Sequence, residues 1–131
     1  MKTSSSIKEL VSEIKSYKEL DYEGWDSYGA RPSDPGTRQR GIEFLKTIES
    51  VFSRLNLRMP ELDVCPGVNG GVSVMYKHES KAPYFWMRLE PGVTDVECTL
   101  RREQGEPPQL LTCTASAAIA TLVSLVDKHA Q

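Results

Sequence analysis

Histidine is nearly absent from this chain of 131 residues, which holds His78 and His129 and no others. A nucleophile needs a base within hydrogen-bond reach and a third group to orient that base. Triad chemistry therefore has two places to start from. His78 stands in a polar hairpin loop, and His129 in the last turn of a helical pattern, where its charge suits the helix dipole. Cysteine is scarce too. Cys65, Cys98 and Cys113 are odd in number and widely spaced, which argues against a disulfide framework and fits a reducing cytosol. All three stand among strand-like apolar residues and read as small buried hydrophobes. With His78 they show no ligand-like spacing, so neither zinc nor another cofactor is expected. Charge of one sign is missing as well. The formal net charge is -2 and the pI near 5.7, which leaves no broad basic footprint for nucleic acid. No apolar run approaches the roughly 20 residues that span a bilayer. The start, Met1-Lys2-Thr3-Ser4-Ser5-Ser6, leads into a charged helical pattern rather than an apolar signal core, so a cytoplasmic location is expected.

Phosphate and hydrolase signatures are missing in the same way. Gly67-Val68-Asn69-Gly70-Gly71 is followed by no Gly-Lys-Ser/Thr and opens no helix, so it is no phosphate cradle. Asn69-Gly70 reads instead as a turn needing a positive φ. In Gly24-Trp25-Asp26-Ser27-Tyr28-Gly29 the serine stands one place too late for a nucleophile elbow.

What is present reads as one α+β domain over residues 1–131. Ser6 and Glu9 form a capping box, and Ile7, Leu10, Val11, Ile14 and Tyr17 follow at helical spacing. The first helix is expected over 7–20. Asp34-Pro35 has the chemistry of a second helix start, with Ile42, Leu45, Ile48, Phe52 and Leu55 as its stripe to about residue 56. Past Pro60 the period changes from 3.6 to 2. Strands are expected over 62–65, 72–77, 84–89 and 94–101, then an exposed loop over 104–108. A final helix over 115–129 would be capped by Thr112 or Thr114. The expected architecture is an antiparallel sheet of about four strands, order α-α-β-β-β-β-α, with helices chiefly on one face.

The most distinctive stretch is Gly24-Trp25-Asp26-Ser27-Tyr28-Gly29-Ala30. Two aromatics between glycines suggest a tight turn with Trp25 and Tyr28 buried under the first helix. Asp26 suits the closing of an Asx turn. This element, then Pro60, Gly70-Gly71 and the strand from Val72, resembles a family of small bacterial and phage proteins with no assigned activity, marked by a Trp-Asp-x-Tyr-Gly-Ala element. The likeness covers about residues 20–100. Members often carry glycine where this chain has Ser27. The resemblance implies an α+β domain from a bacterium or mobile element and supplies no catalytic residues.

Alternation also defines a face. Phe85, Met87 and Leu89 share one side of their strand with Val96, Cys98, Leu100, Val72, Val74 and Tyr76 of its neighbours. Tyr84, Trp86, Arg88 and Met75 fall on the other side, and Trp, Tyr and Arg dominate binding energy at protein interfaces. The functional expectation is a non-enzymatic protein-binding module using Tyr84, Trp86, Arg88 and Met75. Its partner would be another protein or a second copy, met through the same face or an exposed sheet edge. The phage-like resemblance extends this to an inhibitor or adaptor acting on a bacterial defence complex, in the manner of an anti-CRISPR. Two alternatives stand beside it. One is a small hydrolase using Asp26, His78 or a cysteine. The other is nucleic-acid binding through Arg31, Arg38 and Arg40. The acidic run Glu19, Asp21, Glu23 and Asp26 reads as a solvated loop face rather than a cation site.

Overall fold

Ser6 opens the first helix as its neighbours demand. Its hydroxyl accepts the Glu9 N–H at 3.2 Å, and the Glu9 carboxylate accepts the Ser6 N–H at 3.2 Å. The pair satisfies two amides that have no partner inside the helix. The computed structural model describes residues 6–77 and 83–129, to residue 127 for side chains. Helix α1 (Ile7–Ser16) buries Ile7, Leu10, Val11 and Ile14. It then tightens into a 3-10 turn over Tyr17–Glu19, where unbroken α-helix was expected. Helix α2 (Pro35–Arg54) starts at Asp34, whose carboxylate accepts the Thr37 N–H at 2.8 Å and the Thr37 hydroxyl at 2.7 Å. Pro35 fills the first helical position, where a missing N–H costs nothing.

The sheet is a meander of five antiparallel strands, neighbours in chain order: β1 (Leu62–Pro66), β2 (Val72–Lys77), β3 (Tyr84–Leu89), β4 (Val96–Arg101) and β5 (Gln109–Cys113). Helix α3 (Ala115–His129) closes the order, with the Thr114 hydroxyl accepting the Ala117 N–H at 3.1 Å. The class is α+β as expected, but the strand count is five rather than four. The overlooked strand is β5. Its two adjacent leucines break the alternation that marks the others, and its first four residues stay exposed, with Cys113 half-buried.

Register explains the core. One row across the sheet runs Leu62, Tyr76, Phe85, Leu100, and the next runs Val64, Val74, Met87, Cys98. All eight are buried. Helix α1 lies against β1, α2 against β2 and β3, and α3 against β4, so one helical layer covers one sheet face. Burying a side chain of this size is worth roughly 1.5–3 kcal/mol.

The aromatic turn differs from expectation. Gly24, Ser27 and Gly29 have φ of 75°, 67° and 85°. Three left-handed residues so close together keep the segment a surface turn. Tyr28 is 93% exposed, and Trp25 is half-buried with its indole N–H donating to the Arg31 carbonyl at 2.7 Å. Hydrogen bonds rather than ring burial order the turn. Asp26 Oδ1 accepts the N–H groups of Tyr28 at 2.8 Å and Ala30 at 3.0 Å. Beyond the turn, the Arg31 N–H donates to the Val68 carbonyl at 2.7 Å and the Asp34 N–H to the Gly70 carbonyl at 2.9 Å. The glycine loop is thus a latch for the segment entering α2. Gly70 has the positive φ its turn requires, 87°, and a Cβ there would meet the Pro32 carbonyl oxygen.

Candidate functional site

Alternation along β3 sends Tyr84, Trp86 and Arg88 away from the helical layer, and pairing with β2 and β4 decides what stands beside them. Met75 of β2 lies opposite Trp86, and Thr99 of β4 lies on its other side. The row continues to Asp63 on β1 and Leu110 on β5. The next row places Ser73, Arg88, Glu97 and Thr112 side by side. Tyr84 sits between Lys77 and Arg101. The four side chains singled out in the sequence therefore share one neighbourhood on the sheet face that the helices leave open.

Two guanidinium groups pack on two rings there. The Arg88 guanidinium carbon lies 5.4 Å from the Trp86 ring centre, and that of Arg101 lies 5.3 Å from the Tyr84 ring centre. Such contacts add about 0.5–1 kcal/mol each at exposed sites. Arg88 Nη1 also donates to the Thr99 hydroxyl at 2.9 Å, which holds the group against the indole. Arg101 Nε is buried and has no hydrogen-bond partner among the described residues. The rings are fixed in position, yet Trp86 keeps 37% of its surface open and Leu110 keeps 77%.

Arg101 and Leu110 were missed from the sequence. Arg101 joins the site only through the β3–β4 register, which pairs it with Tyr84. Leu110 belongs to the strand whose pattern does not alternate. The signal available for it was the Pro107-Pro108 pair, which delimits a short apolar stretch before the Thr114 cap.

The residues of the alternative readings are placed differently. Asp26 is committed to its turn, and the N–H groups of Tyr28 and Ala30 hold its carboxyl below the usual carboxylate range. It is poorly suited to take a proton near neutrality. Burial pushes the Cys65 and Cys98 thiols up, and Cys113, 3.9 Å from Cys98 between sulfurs, adds to the effect on Cys98. Thiols so shifted stay protonated and are weak nucleophiles. His78 and the His129 side chain lie outside the described residues. Arg38 spends its Nη1 on the Ser33 carbonyl and hydroxyl, both at 3.0 Å. Arg40 clamps the carbonyls of Glu90 and Thr94, each at 3.2 Å. Two of the three arginines offered for nucleic acid therefore brace the fold, and Arg31 is exposed.

Among the described residues, no group of three or more His, Cys, Asp or Glu side chains could hold a metal ion. No helix among them is long and apolar enough to cross a membrane. No family model, curated protein or solved structure matches the chain.

Proposed function

We propose that the protein is a binding module for another protein, and that it grips its partner through the open sheet face around Trp86. The observation that carries this reading is the row Met75, Trp86, Leu110, apolar side chains on a face that no helix among the described residues covers. Interfaces draw most of their energy from a few large residues seated within a polar surround. Here Arg88, Arg101, Lys77, Thr99 and Glu97 provide that surround. Arg88 and Arg101 each already occupy one face of a ring, which favours a protein surface over bases stacking on those rings. The three cysteines suit work in a reducing cytosol. On the resemblance read from the Trp25–Ala30 element in the sequence alone, we extend the proposal to a narrower version, an inhibitor or adaptor of a mobile element acting on a bacterial defence complex.

The test is capture from a bacterial lysate by immobilised wild-type protein and by Trp86→Ala, with circular dichroism confirming that both are folded. A partner retained by the wild type is expected to bind the variant roughly 30-fold more weakly or worse, the penalty of losing a central anchor. Equal capture by both would remove the reading. Retention of DNA or RNA that falls steeply with salt and with Arg38→Ala/Arg40→Ala would replace it with the nucleic-acid alternative.

A further inference from the structure

We propose that β5 is a self-association edge, which pairs antiparallel with β5 of a second copy and joins two five-stranded sheets into one of ten. The proposal differs from the Trp86 reading in using the rim of the sheet, although Leu110 belongs both to this rim and to the Trp86 row. An edge strand presents a row of unpaired N–H and C=O groups, and folded proteins blunt such rims with charge, proline, a bulge or a covering element. The opposite rim is blunted in this way. Strand β1 carries Asp63, ends in Pro66 and has α1 against it. Strand β5, Gln109-Leu110-Leu111-Thr112-Cys113, has no charge and no proline. The helical layer reaches β4 through α3. Leu111, on the helical side of the sheet, stays 39% exposed, while Leu110 stays 77% exposed on the open side.

A second copy fits this rim by symmetry, because one axis covers both exposed leucines of β5. Two copies of one strand that offer the same outward groups can pair antiparallel only about a two-fold axis centred on a residue. Centred on Leu111, all five residues take part. Leu111 then faces its own counterpart on the helical side. Leu110 faces Thr112 of the second copy, and the two Leu110 side chains become diagonal neighbours, about 7–8 Å apart and within reach of each other. A single axis therefore covers both exposed leucines, one on each face. No like charges are opposed, because β5 is neutral. Both helical layers fall on the same side, so the two open faces merge into one. Five residues per copy make a small interface, and the dimer is reversible and concentration-dependent.

Sedimentation velocity on the full chain, from low micromolar to near millimolar, tests this. The expected mass rises from 14.7 kDa toward twice that value with concentration. Leu110→Lys should weaken association at least about tenfold, because it sets like charges on the diagonal. Leu111→Lys should do the same. Leu110 is exposed enough for its variant to fold, and a thermal melt checks this. Trp86→Ala should leave the dimer unchanged. A single 14.7 kDa species over the whole range would overturn the proposal. So would a dimer that Trp86→Ala abolishes and Leu110→Lys spares.

Discussion

Phe85 and Trp86 are neighbours in β3, yet they belong to different worlds. Phe85 points into the helical layer and is wholly buried, while Trp86 points to the open face and keeps 37% of its surface in water. The same split runs along β4, and along β2 except at Ser73, which is buried on the open side. On one face, aliphatic rows are closed by α1, α2 and α3. On the other, an indole, a phenol and two guanidinium groups are held in place by one another. The first face is shaped by what the chain must hide to fold. The second carries large side chains whose burial the chain itself does not complete, and such residues in a polar surround are what a second molecule can use.

Substitution at these adjacent positions offers the sharpest way to break the contrast. Phe85→Ala should lower unfolding free energy by about 3–5 kcal/mol, through lost burial and the cavity left behind. Trp86→Ala should cost less, about 1–2 kcal/mol, from its cross-strand contacts with Met75 and Thr99 and its contact with Arg88, while weakening partner capture roughly 30-fold or worse. Chemical denaturation of the two variants side by side checks both values. If the two costs came out equal, the open face would be structural rather than a place to bind. A smaller loss is expected where the latch loop meets the end of β3. A Cβ at Gly71 would run into the Leu89 carbonyl oxygen, which is backbone and cannot swing aside. Gly71→Ala should therefore cost about 1–3 kcal/mol in the same measurement, with Trp86 and its neighbours left unperturbed by fluorescence.

Most of the face assignment is legible in the sequence. Val72 to Lys77, Tyr84 to Leu89 and Val96 to Arg101 alternate, and a period of two fixes which residues share a side. Both helix starts were legible too, because Ser6 with Glu9 and Asp34 with Pro35 act within a few residues of themselves. What escaped depends on neighbours distant in the chain. The stacking of Arg101 on Tyr84 needs the register of β3 on β4, and no local pattern encodes it. Strand β5 escaped because an edge strand that is largely exposed need not alternate. The exposure of Tyr28 escaped for a different reason. Aromatic content suggested burial, but the positive φ values at Gly24, Ser27 and Gly29 turned the ring outward. The Asx role of Asp26 was legible because it too is local.

The smallest expected effect concerns the acid sensitivity of the two capped elements, and it separates local order from the sheet. Asp34 and Asp26 both titrate below the ordinary 3.8 in the folded chain. For Asp34 the cause is the Thr37 hydroxyl and N–H; for Asp26 it is the N–H groups of Tyr28 and Ala30. A carboxyl whose folded value is depressed binds its proton more readily in the unfolded chain. Its stabilising contribution is therefore complete above 3.8 and is lost as pH falls through the lower folded value. Asp34→Ala should remove a helix cap worth about 1 kcal/mol near neutrality, and should flatten the fall in melting temperature below pH 4. Asp26→Ala should flatten it less, because that carboxylate orders a surface turn whose Tyr28 contact is exposed and competes with water. Neither change touches the β3 rows, so partner capture by the Trp86 face should survive both. Loss of capture in Asp34→Ala at neutral pH, with the fold intact by circular dichroism, would tie the binding surface to the start of α2 instead of to the sheet.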